Sequence, residues 1–506
     1  MDAAAVRALR ADLEAAHFTV ERLTALWGQA AEDALARGDR VPAVRALGSD
    51  TAAAVLARLF VLGLDVDPVS AAAALPALGV TGAAALGLVE AGGSRVVPLR
   101  DLRPYSFLDA RGAGQWWIAS DLGELATGGA LRTDHVLGVG GASVTLSGLL
   151  LPGPVDTALD LGTGCGIQAL HLAREARRVV ATDISQRALD LAELNAALNG
   201  IDTIEFRIGS LFEPVAGERF DRVVSNPPFV ITPRRADVPA YEYRDGGAVG
   251  DAIVAAIVSD VADHLAPGGI AQLLGNWEYR ADADGLQRAV GWTDARGLDA
   301  WIVERETLDP ARYAETWIRD GGTRPSNPDY EQLVGAWLDD FAERGVTAVG
   351  FGYLLLRRPT GDRMLRRVER LDAPLGAGSG LGAHLATALA AHDAVARLDD
   401  AALLAVHPTV ASDVTEERSH WPGDEHPTVI TLRQGGGFHR ELRVGTALAA
   451  VVGACDGELS LGAILGAVAS ILDVDVEALT AEIVPEVREL AVSGFVSIGT
   501  KQDDPS

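Results

Sequence analysis

The sequence predicts an α/β protein, with a largely parallel sheet over residues 111–360 flanked by a helical N-terminal segment and a small C-terminal one. Three observations carry this. Between 111 and 360, short apolar runs alternate with helical periodicity, the pattern of parallel strands joined by crossover helices. One early run feeds the turn Gly162-Thr-Gly-Cys-Gly166, with a helical pattern directly after it. A later run, Phe220-Asp-Arg-Val-Val224, stops at Ser225-Asn-Pro-Pro-Phe229, where two prolines remove two backbone donors and fix two φ angles.

A chain of 506 residues exceeds one ordinary core, and three domains are expected: 1–110, 111–360 and 381–506. The first reads as Ala-rich amphipathic helices near 2–16, 19–37, 51–63, 68–78 and 81–91, then strands at Arg95–Leu99 and Gln115–Ala119. Helices followed by a short hairpin suggest a winged-helix-like module, or equally a helical cap on the next domain. In 111–360 the expected strands are 156–161, 178–183, 203–208, 220–225, 268–275, 299–305 and 347–357, seven in all. Between the last two lies a helical insertion, 309–345, carrying Tyr313, Trp317, Tyr330, Trp337 and Phe341; these aromatics either shape a substrate site or pack the inserted helices together. Leu371 to Gly380 has linker composition. Beyond it come a strand pair near 428–432 and 438–442, helices near 444–454, 460–472 and 475–493, and a terminal Gly494-Phe-Val-Ser-Ile498.

Composition narrows the function. Cys165 and Cys455 are the only cysteines, which excludes a disulfide framework or a cysteine zinc site, and the ten histidines show no paired metal spacing, so no structural metal is expected. The net charge is −27, and Lys501 is the only lysine. Nucleic-acid binding is disfavoured because phosphates need a basic surface, and residues 361–506 hold 11 basic against 22 acidic side chains. No run approaches the ~20 apolar residues of a membrane span, and the N-terminus lacks a basic targeting start, so a cytoplasmic protein without a membrane partner is expected.

Asp160-Leu-Gly-Thr-Gly-Cys-Gly166 closes an apolar strand with glycines that let a ligand approach the backbone at a helix N-terminus. Alone, such a turn also suits a dinucleotide enzyme or a tight structural turn. Asp183, 23 residues beyond Asp160, ends the next strand, where a carboxylate can accept from both hydroxyls of a ribose. The strands that follow lead to Gly209-Ser-Leu-Phe-Glu-Pro214 and to Asn226-Pro-Pro-Phe229, so four motifs lie at strand C-termini.

These residues resemble the class I S-adenosylmethionine-dependent methyltransferases with a Rossmann-like seven-stranded sheet, in the amino- and amide-methylating branch marked by N-P-P-[YF]. The likeness to protein-glutamine and ribosomal-RNA guanine methyltransferases extends through Asp245-Gly-Gly-x-x-Gly-Asp251 and covers about half the chain. It implies S-adenosylmethionine as cofactor, held by Asp160, Gly162, Thr163, Gly164, Gly166, Asp183, Ile184, Ser210, Leu211 and Asn226. It also implies that the Asn226 and Pro227 carbonyls accept from a substrate NH2 while the Phe229 ring packs over the group bearing it. Two departures stand out: Ser210 replaces an acid that many relatives place beside the adenine, and Phe229 lacks a tyrosine hydroxyl. An aliphatic amine would need a proton acceptor, with Asp134, His135, Tyr241 and Glu242 as candidates, whereas an amide would not; His135 otherwise supports the loop beneath the cofactor. Residues 441–498 loosely resemble the winged-helix peptide-recognition modules of ribosomal-peptide biosynthesis. The expectation is an N-methyltransferase acting on a peptide or protein, with ribosomal or transfer RNA, or a catalytically silent scaffold, as alternatives.

Overall fold

The computed structural model describes residues 2–48, 50–128, 131–235, 238–239, 241, 244–294, 296–362, 365–371 and 380–498. The expected linker at 371–380 lies almost wholly outside these, as does Glu242. Contacts divide the chain into two compact units, Met1–Ser147 with Gly153–Arg370, and Gly148–Pro152 with Leu371–Ser506.

The first unit is built on one sheet of eight strands: β1 (Val155–Leu161), β2 (Ala176–Asp183), β3 (Ile204–Ile208), β4 (Phe220–Ser225), β5 (Leu265–Arg280), β6 (Asp299–Leu308), β7 (Val346–Arg357) and β8 (Arg366–Arg370). The spatial order is β8-β6-β7-β5-β4-β1-β2-β3. β1 to β5 pair in parallel, while β7 runs antiparallel to both β5 and β6. The chain moves outward from β1 through β2 to β3, then returns to place β4 on the other side of β1. That reversal opens a crevice at the C-terminal ends of β1 and β4, the place where open α/β sheets hold their ligands.

The sheet has eight strands, not the expected seven. Arg366-Arg-Val-Glu-Arg370 reads as surface, yet it pairs in parallel with β6 at the sheet edge. There its charges find partners: Glu369 accepts from Trp301 Nε1 at 2.7 Å, and Arg370 donates to Glu304 at 3.0 Å. An edge strand needs only one apolar face, so its charges hide it from a hydrophobicity reading.

The N-terminal helices, from Ala3–Ala15 to Gly79–Ala85, lead into two hairpins, Val89–Gly92 with Arg95–Pro98 and Arg100–Asp109 with Gly112–Asp121. The helix expected over 19–37 is broken at Gly28, whose φ of +79° suits a residue without Cβ. The boundary expected at residue 110 falls at the tip of the second hairpin. Asn195, on the helix Gln186–Leu198 after β2, donates to the Ala119 carbonyl at 2.9 Å and accepts from its N–H at 2.7 Å. One continuous apolar core therefore runs from Leu9, Phe60 and Ile118 to Ile167, Leu170 and Leu191.

The second unit holds a three-stranded antiparallel sheet, Val414–Ser419, Val429–Gln434 and Glu441–Val444, followed by helices Thr446–Gly453, Leu461–Leu472 and Val476–Ser493. Ser460 and Asp475 cap the last two helices by accepting from Ala463 N and Ala478 N. Val496–Ser497 pairs with Thr409–Val410, and Ile464, Ile483, Val487 and Phe495 fill the core. Among the described residues no single helix is long and apolar enough to cross a membrane.

Candidate active site

A cavity of about 590 Å³ opens at the C-terminal ends of β1, β2 and β4. The glycine turn forms its floor. Gly162, Gly164 and Gly166 have φ of +76°, +54° and +90°, a region that side chains rarely adopt. A Cβ on Gly162 or Gly164 would meet nothing within 4 Å, so their missing side chains leave room for a ligand, whereas one on Gly166 would press on Ala192 at 3.0 Å. Gly166 therefore serves helix packing and does not line the cavity.

Asp160 also lies outside the cavity lining, contrary to the expected direct contact. Its side chain is buried beneath the turn, where it accepts from Thr163 Oγ1 at 2.6 Å and from Ala169 N at 2.9 Å. Burial pushes its carboxyl up to about 7, against the lowering effect of those two donors. It shapes the turn from beneath.

Asp183 does face the cavity. Its two oxygens accept from Gly164 N and Ser185 N, each at 2.9 Å, and a carboxylate with about four acceptor sites keeps capacity for two hydroxyls. Burial raises its pKa, opposed by those backbone donors. Beside it Ile184 is 67% exposed, an apolar surface left for a flat ring, and Ser210 and Leu211 complete this end of the cavity. Leu211 holds φ at +46°, a strained conformation for a branched side chain at a binding loop.

At the far end stand Asn226, Pro227 and Pro228. The preceding Ser225 anchors the strand end by donating to the Leu161 carbonyl at 2.7 Å. The side-chain oxygen of Asn226 is buried and accepts no hydrogen bond. An unmade bond to a buried carbonyl costs about 1–3 kcal/mol, so the site holds an acceptor that gains when a donor arrives. The Asp245-Gly246-Gly247 segment lies against this end of the cavity, with Asp245 accepting from Gly247 N at 2.9 Å and held by Arg234.

Phe229 departs from its expected role. It does not line the cavity; its ring is buried, 6.0 Å from Trp317 and 5.4 Å from Phe351. The insertion packs here: Tyr313, Trp317, Trp337 and Phe341 form a chain of ring contacts, and the Tyr313 hydroxyl accepts from Ile231 N at 3.0 Å and Asn276 Nδ2 at 2.6 Å. The aromatics thus brace the segment that follows the two prolines.

Of the proton-acceptor candidates, Tyr241 packs under Gly321, donating to its carbonyl at 3.3 Å, and is no part of the cavity wall. Asp134 reaches the cavity but pairs with Arg132 at 2.8 Å. His135 is buried in the wall, and that burial lowers its pKa. The adjacent Val136 N donates to Asp121 at 2.9 Å, which ties this wall to the second hairpin. The loop of His135, expected beneath the cofactor, lines the cavity through Val136 to Gly138, whereas sequence reasoning missed Ser143 and Gln168. Only Gln168 left a signal, an amide in an otherwise apolar stretch.

Residues 141–294 match the family described as Methyltransferase small domain, and residues 15–99 match the family described as Domain of unknown function (DUF7059). The chain is 36% identical over 140 residues to the release factor glutamine methyltransferase of Xylella fastidiosa, covering 26% of this chain and 51% of that protein. It is 32% identical over 166 residues to the ribosomal protein uL3 glutamine methyltransferase of Bradyrhizobium diazoefficiens, covering 30% of this chain and 52% of that protein. The chain thus spans about half the length of these two relatives. Among solved structures, the YcgJ protein of Bacillus subtilis is similar over 43% of this chain and 99% of its own, at 15% identity and a TM-score of 0.31.

Proposed function

We propose that this chain, whose residues 141–294 match a methyltransferase domain, transfers a methyl group from S-adenosylmethionine to the side-chain amide nitrogen of a glutamine in a protein, in the cytoplasm. The observation that carries this reading is the buried, unpartnered Asn226 oxygen beside two prolines at the cavity end.

The cofactor supplies a methyl group on a cationic sulfur. Asp183 would hold the ribose hydroxyls, Gly162 and Gly164 would let the backbone approach closely, and Ile184 would cover one ring face. Asn226 Oδ1 and the Pro227 carbonyl accept the two hydrogens of the substrate NH2, turning the nitrogen lone pair toward the methyl. Accepting that methyl would build positive charge on the substrate nitrogen. The Pro227 carbonyl, held by the two fixed proline φ angles, and the buried Asn226 oxygen would stabilise it with little reorganisation. The methylated amide nitrogen is then strongly acidic and sheds its proton to water, which agrees with Tyr241 being turned away and Asp134 being paired. Glutamine is the acceptor class named for both curated relatives above, and the net charge of −27 weighs against RNA.

The test separates binding from chemistry. Asn226→Ala should bind S-adenosylmethionine within about twofold of wild type by calorimetry, while turnover falls about a hundredfold or more. Near-normal turnover in the variant would reject the amide cradle.

A further inference from the structure

We propose that Gln168 selects the amino group of the cofactor's amino-acid branch, its side-chain carbonyl accepting from the α-ammonium. This rests on the S-adenosylmethionine reading above.

Gln168 is the second residue of the helix Ile167–Leu172, is 3% exposed and lines the cavity. Its Nε2 donates to the Ser143 carbonyl at 2.8 Å. A backbone carbonyl only accepts, so that bond fixes which end of the amide is nitrogen. The other end, Oε1, is buried and takes no hydrogen bond. The bond to Ser143 accounts for the nitrogen half of this amide, but the buried oxygen half is left unmatched, an acceptor that gains when a donor arrives.

The cofactor's sulfur carries three branches. With its ribose at Asp183 and its ring at Ile184, the adenosine branch would fill one end of the cavity, and the methyl would face Asn226. The third must extend along the remaining wall, where Ser143, Gln168 and Gly138 lie. It ends in an ammonium and a carboxylate. A fixed carbonyl oxygen attracts the first and repels the second, so Gln168 orients this branch and rejects analogues without the amine. The contact is charge-assisted on the donor side, stronger than one between neutral groups.

The experiment is a ligand-by-residue cycle on the full chain, read by calorimetry. The ligands are S-adenosylhomocysteine and its des-amino counterpart, which keeps the carboxylate; the proteins are wild type and Gln168→Leu. Wild type should bind the amino ligand about tenfold or more tightly than the des-amino one. Gln168→Leu should lose that factor on the amino ligand and distinguish the two little or not at all. Gln168→Met, which keeps the length of the side chain, should give the same pattern and serves if the Leu variant does not fold. Equal binding of both ligands to wild type, or equal losses for both in a folded variant, overturns the proposal. No binding of either ligand to wild type would instead refute the cofactor reading itself.

Discussion

Asp160 and Asp183 end neighbouring strands, yet their surroundings give them different work. Asp160 is sealed under the glycine turn with its pKa at about 7, far above its value in an unfolded chain. The folded state therefore keeps a proton that the unfolded state releases, and stability declines as pH rises from about 4 through about 7. Asp160→Asn should remove that decline: melting curves should show the variant gaining on wild type between pH 5 and pH 8, and parallel curves would contradict the burial account. Asp183→Ala acts on the ligand instead. Deleting the partner of two hydroxyls should weaken S-adenosylmethionine binding by about 1.5–3 kcal/mol, tenfold or more in Kd. Asn226→Ala should show the opposite division between folding and function, with a melting temperature unchanged or raised, because it removes an acceptor that the free protein leaves unpaired.

The insertion helix Pro310–Asp320 links elements that the catalytic motif alone does not connect. Tyr313 reaches from it to Ile231, two residues past Phe229, and to Asn276 on β5. Tyr313→Phe should strand both donors, lower stability by about 1–3 kcal/mol and reduce kcat, with the Kd for the cofactor nearly unchanged. A lower Kd-type affinity with intact kcat would place the helix elsewhere in the mechanism. The same element shows where the sequence was readable. The glycine turn, Asp183 and Asn226 could be found because strand ends put short motifs at regular intervals on one edge of the sheet. The packing of Phe229 and the wall at Gln168 could not, because each depends on contacts with segments distant in sequence, such as Trp317, Phe351 and Ser143, and the retreat of Asp160 could not because it depends on how the turn folds Thr163 and Ala169 over its carboxyl. β8 was missed for a different reason, its charges being matched by partners that only the fold brings near, among them Asp294, Trp301 and Glu304.

At the level of the whole molecule, two units divide the chain, and the second also takes in Gly148–Pro152, where a Cβ on Gly382 would strike the Leu150 carbonyl at 1.9 Å. We propose that residues 381–506 recognise the protein substrate. A chain ending at Arg370 should then retain cofactor binding, with a lower melting temperature because Gly148–Pro152 loses the rest of its compact unit. Its KM for an intact protein should rise, while a short glutamine peptide is used as before; equal losses on both substrates would contradict the recognition role. The central claim, methyl transfer to a protein amide, has a chemical signature of its own. The full chain is incubated with methyl-tritiated S-adenosylmethionine and separate protein and RNA pools, and the labelled pool is hydrolysed in strong acid. Methylation of a glutamine amide predicts label in protein that acid releases as methylammonium, volatile as methylamine once the hydrolysate is made alkaline, because acid cleaves the amide bond but not the new C–N bond, and Asn226→Ala should abolish it. Label in RNA, or label that stays on a non-volatile amino acid after hydrolysis, would contradict the account.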